Sequence, residues 1–181
     1  VALAGCGIAA ASAIPPTPPP DPQLVIDWNP LRVTWDNIRV ARESRPVFLS
    51  LLGISWLWFF GALLVTQFPQ FAKTSLGGGP GVANLLAATF TLGIATGSLA
   101  CDRLSRRMLE IGLVPFGSIG MTLFGVDLYF ACRGLPLGQM QTLGEFLARG
   151  AHWRVLADLF ALSACAGLYS VPLYALIQTR G

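Results

Sequence analysis

Three stretches of this chain hold no Asp, Glu, Lys or Arg: residues 46 to 72, 74 to 101 and 159 to 179. A fourth, 111 to 132, holds only Asp127. An α-helix rises 1.5 Å per residue and bilayer hydrocarbon is about 30 Å thick, so about 20 apolar residues cross it. Each stretch meets that length. Only 12% of the residues are charged and 54% are hydrophobic, with a mean hydropathy of +0.61, where soluble domains carry about 25% charge. The pattern predicts an all-α polytopic membrane protein with spans over about 46–68, 82–101, 109–132 and 155–177.

The second and third spans meet at a charged knot, Asp102-Arg103-Leu104-Ser105-Arg106-Arg107. Charges near a bilayer centre cost several kcal/mol each, so the knot is expected at a membrane surface as a tight turn. Counting Lys and Arg on alternating sides gives the orientation. One side holds Arg32, Arg39, Arg42, Arg45, Arg103, Arg106, Arg107 and Arg180; the other holds Lys73, Arg133, Arg149 and Arg154. The positive-inside rule makes the first group, and the knot, cytoplasmic. The net charge of +3 therefore reflects topology, and no basic, aromatic-interleaved surface suggests nucleic acid.

Ahead of the spans, residues 1 to 14 are apolar but too short to cross, with no basic n-region and no A-x-A-like cleavage site. They read as the end of a truncated transmembrane helix, which makes the chain an internal fragment of a larger membrane protein. Residues 15 to 45 read as a cytoplasmic Pro-rich linker. Its PPTPPPDP tract is expected to be extended. Asn29-Pro30 then opens a short helix, with Asn as N-cap and Pro in the first turn. Leu31, Trp35 and Ile38 share one face of it, and Arg32, Arg39 and Arg42 lie on others. Such a helix suits a membrane interface, the underside of a bundle or a soluble linker.

Within the spans, Gly93 and Gly97 form a G-x-x-x-G, small residues that let helices approach closely in lipid. Pro69 and Lys73 mark the expected exit of the first span, followed by a glycine-rich turn over 76–81. Pro172 is expected to kink the end of the last span, with Ser163, Ala164 and Gly167 as its small contacts and Tyr169 and Tyr174 at the interface. Thr142-Leu-Gly-Glu145 has the spacing of a capping box. Asp127 is an intramembrane acid, a functional candidate by default, placed to reach the interface or pair with Arg133. The polar and aromatic groups available to line a path are Trp56, Trp58, Gln67, Asn84, Asp127 and Tyr169; mid-span aromatics also serve bundle packing.

No nucleophile–base set, metal spacing, phosphate loop or cofactor motif occurs. Cys6, Cys101, Cys132 and Cys165 read as small apolar packing residues. His152 is the sole histidine, and Ala157 stands where an H-x-x-x-x-D acyltransferase pair needs its acid, so His152 reads as interfacial beside Trp153. The chain itself is not read as an enzyme.

The knot and its flank, Ser98-Leu-Ala-Cys-Asp102-Arg103-Leu-Ser105-Arg106-Arg107, resemble the G-x-x-x-D-R-x-G-R-R loop of the major facilitator superfamily, with Ser98 and Ser105 at the two glycine places. The resemblance implies a cytoplasmic conformational latch made by Asp102, Arg103, Arg106 and Arg107. Longer runs, ISWLWFFGALLVTQFPQFAK, GSLACDRLSRRMLEIGLVPFGSIGMTLFGVDLYFA and SVPLYALIQTR, are similar to the lysophospholipid transporter family within that superfamily. That similarity implies the end of helix six, the central loop and helices seven to ten of a twelve-helix bundle, mostly its C-terminal half. It further implies alternating-access movement of lysophosphatidylethanolamine across the bacterial inner membrane, with membrane lipids and the remaining helices as partners. A fused acyltransferase and acyl-carrier-protein ligase would accompany some members. A facilitator for another small molecule and a membrane anchor for a fused acyltransferase remain the alternatives.

Overall fold

The computed structural model describes residues 28–104, 112–133, 135 and 140–180, together with 5, 7, 10 and 11. The expected truncated helix, the proline tract, Arg106 and Arg107 therefore lie largely or wholly outside the described residues. The chain divides into two compact units, Val1–Asn37 and Ile38–Gly181.

The described part of the first unit is short. Helix α1, Pro30–Glu43, opens in it, and the Asn29 side chain caps it, its Oδ1 accepting from the N–H groups of Leu31 and Arg32 at 3.2 and 3.3 Å. Two of the amides that no helical carbonyl can reach are thereby satisfied. Leu31 and Trp35, the apolar face read from the sequence, are exposed.

The second unit holds helices α2 (Arg45–Ser75), α3 (Pro80–Leu104), α4 (Leu113–Cys132), α5 (Leu143–Ala148) and α6 (Gly150–Arg180). Four of them, α2, α3, α4 and α6, are long and apolar enough to cross a membrane. The chain is an all-α polytopic membrane protein. Two prolines lie inside helices, one of them, Pro69, at the exit expected for the first span. Pro69 lies inside α2, which continues to Ser75, and Pro172 lies inside α6, which continues to Arg180. A helix in lipid tolerates an interior proline, because neighbouring helices and local adjustment satisfy the freed carbonyl.

Helix α2 ends where Gly77 adopts a left-handed φ of 61°, a conformation that costs a residue with a Cβ but not glycine. The reversal lets the Gly78 N–H donate to the Ala72 carbonyl at 2.8 Å. The same loop pairs with the segment before α5. Gln141 N–H donates to Gly77 O at 2.8 Å, and Gly79 N–H donates to Gln141 O at 3.1 Å. The capping box forms: Thr142 Oγ1 accepts from Glu145 N–H, and Glu145 Oε2 accepts from Thr142 N–H at 2.8 Å. Thr142 thereby holds the Glu145 carboxyl below its ordinary range, first through the backbone N–H and then through the hydroxyl.

Helix α6 is the hub. It packs most extensively on α3 and α4, and also on α2. Small residues set these distances. A Cβ on Gly93 would fall 1.9 Å from Ser163 Oγ, and one on Gly167 would fall 2.6 Å from the Ile94 carbonyl oxygen. On α4, a Cβ on Gly117 would fall 2.8 Å from both Cys165 O and Tyr169 N. Backbone thus meets backbone, as expected where dispersion rather than water exclusion drives helix association. The pairings place α6 parallel to α3 and antiparallel to α4, the directions that successive membrane crossings require. The apolar core gathers Phe68, Val82, Leu86, Phe90, Phe146, Val155 and Leu159 at one end of this assembly, with the Phe68 and Phe90 rings edge to face at 5.8 Å. Span hydroxyls are satisfied locally: Thr89, Thr91, Thr96 and Ser98 each donate to the carbonyl four residues earlier.

Candidate functional site

Because α2 and α4 both lean on α6 rather than on each other, a groove opens between them. Its main cavity, about 710 Å³, is lined by Trp56, Phe60, Met121, Val126, Phe130 and Tyr169, with Ser118 and Thr122 as its hydroxyls. Gly125 and Tyr129 also line a second recess of about 550 Å³, which reaches Phe71, Cys132 and Arg133. The two are therefore neighbouring parts of one groove, with aromatic walls along its length and a cation at one end.

Local sequence explains the walls. Trp56 and Phe60 are one turn apart on α2, and Ser118, Thr122 and Val126 repeat at four-residue spacing on α4, so each set shares a face. Tyr169 is held by glycine on both sides: a Cβ on Gly53 would fall 2.7 Å from the Tyr169 hydroxyl, and Gly117 faces its backbone. Tyr169 therefore faces α2 and α4 across the groove.

The six path residues read from the sequence are not brought together. Trp56 and Tyr169 share the groove. Trp58 points to the other side of α2, where its indole Nε1–H donates to Tyr174 Oη at 2.6 Å. There Trp58 and Tyr174 line a separate apolar cavity of about 300 Å³ with Phe90, Ile94 and Leu162. Asn84 sits in a recess of about 400 Å³ beside Lys73, Gly79 and Met140. Gln67 is exposed and lines none of these spaces.

Asp127 also lines none of them, and its partner differs from the one considered from sequence. Arg154 of α6 donates to Asp127 Oδ1, and Arg133 instead donates to the Tyr129 hydroxyl. The Arg133 guanidinium lies 4.5 Å from the Tyr129 ring centroid. The reason is helical geometry. Arg133 is six residues beyond Asp127, just past the end of α4, whereas the antiparallel α6 carries Arg154 alongside it.

His152 has a packing role that the sequence does not declare. It is buried at 2% exposure, its ring stacked on Phe146 with centroids 4.0 Å apart. Its Nδ1 lies 2.8 Å from the Phe146 carbonyl oxygen. It pins α5 onto the start of α6, while Trp153 beside it is exposed. The expected latch comprises Asp102 and three Arg residues. Of these, Asp102 and Arg103 occupy the last turn of α3, both exposed. Among the described residues no group of His, Cys, Asp and Glu is arranged to hold a metal ion.

The groove, which brings Trp56, Tyr129, Phe130, Tyr169 and Arg133 together, was not legible as a site because α2 and α4 are adjacent only through α6. The one available signal was the four-residue repeat of Ser118, Thr122 and Val126. No family model, no curated protein and no solved structure matches the chain.

Proposed function

We propose that the chain is part of an alternating-access lipid transporter of the major facilitator type, moving lysophospholipid across a bacterial inner membrane. One observation carries the reading: an aromatic-walled groove in a membrane bundle that ends at an arginine. A lysophospholipid has one acyl chain and a phosphate-bearing head. Its chain favours apolar walls with few polar groups, supplied by Trp56, Phe60, Val126, Phe130 and Tyr169. Its phosphate favours a guanidinium, which binds oxyanions through paired N–H donors, and Arg133 has that chemistry.

The chain contributes the residues that bind and orient; no covalent step is involved. Four spans leave the groove open on one side, so further helices of the same transporter complete the path. Asp102 and Arg103, at the end of α3, belong with Arg106 and Arg107 to the loop that would latch one of the two access states.

The test is transport by the full transporter reconstituted in vesicles. Fluorescent lysophosphatidylethanolamine should cross faster than in empty vesicles, and Trp56→Ala should lower that rate several-fold. Equal rates with and without protein would sink the proposal. Displacement by a sugar or a drug but not by lysolipid would replace it with a facilitator for another solute. Transport that persists without any fused soluble domains would exclude a mere membrane anchor.

A further inference from the structure

We propose that Asp127, Arg154 and Asp158 form an intramembrane proton-binding site, in which the buried Asp158 carboxylate takes up one proton while Arg154 stays paired with Asp127. This goes beyond the transport reading and does not depend on the identity of the solute.

The three residues join two spans. Arg154 and Asp158 are one turn apart on α6, and Asp127 faces them from α4. The guanidinium donates to Asp127 Oδ1, while its Nε stands 4.0 Å from Asp158 Oδ2, beyond hydrogen-bonding reach. Asp158 is 6% exposed, and its Oδ2 is buried with no hydrogen-bond partner. One guanidinium thus serves two carboxylates, and the residual negative charge lies on the more buried one. A buried charge without a hydrogen bond is costly. One proton removes that cost: it bonds to Oδ2, the carboxylate becomes a carboxylic acid, and the cluster passes from a net charge of −1 to zero.

The surroundings narrow the choice of cation. On α4 the neighbouring titratable groups are Asp127 and the Cys132 thiol. Helices α2 and α3 carry no charged residue between 46 and 72 or between 80 and 101, and Lys73 faces the recess with Asn84 and Met140. From α5, Glu145 is committed to Thr142, and on α6 the His152 ring is committed to the Phe146 carbonyl. One unpartnered carboxylate oxygen beside a guanidinium suits a proton. A metal ion needs several oxygen ligands and would be repelled by Arg154.

The cluster is open on one side of the four spans. Arg154 and Asp127 side chains are 58% and 43% exposed, so the side by which a proton would reach Asp158 is the one the arginine occupies. Its arrival changes what links α4 to α6. Without it, Arg154 is drawn between two carboxylates; with it, Arg154 belongs to Asp127 alone and the new Asp158 O–H is a donor. That is a two-state element whose balance pH sets.

The test is pH-difference infrared spectroscopy of the protein in nanodiscs. A protonated-carboxyl carbonyl band should titrate with about one proton per chain and vanish in Asp158→Asn. It should be absent over the same pH range in Asp127→Asn, where Arg154 and Asp158 pair one to one, and persist in Glu145→Gln. Should Asp158→Asn fold poorly, Asp158→Glu keeps the carboxyl and must move the band. A band that survives Asp158→Asn, or stays unmoved in Asp158→Glu, overturns the proposal. So does a band displaced when choline is replaced by sodium at constant pH, which would mark a sodium site.

Discussion

Gly97 of α3 and Ala164 of α6 approach so closely that a Cβ on Gly97 would stand 1.9 Å from the Ala164 carbonyl oxygen. In lipid the hydrophobic effect does not hold helices together, so the contact itself is the stabilising interaction. Its position explains the architecture. With α3 seated against the middle of α6, the remaining faces of α6 take α4 and α2, and the groove lies between those two.

Gly97→Ala should therefore force the two backbones apart. Overpacking of this kind costs about 1–3 kcal/mol, and more where backbone rather than a flexible side chain is struck. Gly61→Ala is the control, since a Cβ there meets nothing within 4 Å and a helical Gly→Ala change gains about 0.5–1 kcal/mol. Thermal unfolding in detergent should show a lowered midpoint for Gly97→Ala and an unchanged or raised one for Gly61→Ala. Equal midpoints would mean the helices are not seated as described.

His152→Phe separates stacking from hydrogen bonding. The aromatic face against Phe146 is kept, and the Nδ1 contact to the Phe146 carbonyl is lost, at about 1 kcal/mol. Hydrogen exchange should accelerate across α5 while the middle of α6 stays protected. Uniform acceleration through α6 would assign His152 a role in the whole bundle.

These two residues show what sequence carries and what it does not. Gly93 and Gly97 declare themselves because small residues one turn apart have few uses within a span. The spans themselves were visible because charge is excluded from hydrocarbon, whatever the tertiary arrangement. Their ends were less visible, since Pro69 breaks a helix in water but is accommodated in a bundle. The burial of His152 was not legible, because it depends on whether a carbonyl six residues earlier is turned towards the imidazole. The pairing of Asp127 with Arg154 depends on the register of two antiparallel helices, which no local pattern encodes. Trp56 and Trp58 make the same point in reverse. They are adjacent in the reading of a path, but a two-residue step along a helix turns them to different cavities.

The capping box at Thr142 predicts a pH response confined to α5. The folded Glu145 carboxyl lies below its ordinary range because Thr142 donates to it. A lowered folded value means the contribution is fully present above the unfolded carboxylate pKa and is lost as pH falls through the folded one. Amide exchange at Glu145 and Phe146 should accelerate on acidification through that window. Glu145→Gln retains an acceptor and should abolish the pH dependence while keeping the helix. Thr142→Ala should loosen α5 at every pH, at about 1 kcal/mol.

The last prediction concerns the charged end of α3. Asp102 and Arg103 are exposed and occupy its last turn, on the same helix as Gly93 and Gly97 but beyond the Trp56–Tyr169 groove lining. A charge placed there alters the energy of one arrangement of helix ends relative to another without touching what fills the groove. In the reconstituted transporter, Asp102→Asn should therefore change the rate of lysolipid movement while the order of preference among lysolipid headgroups stays as in the parent. Arg133→Gln, at the end of the groove, should do the opposite, weakening discrimination in favour of phosphate-bearing amphiphiles. Altered preference in Asp102→Asn with an unaltered rate would remove the latch from this loop and return Asp102 to an ordinary solvated helix end.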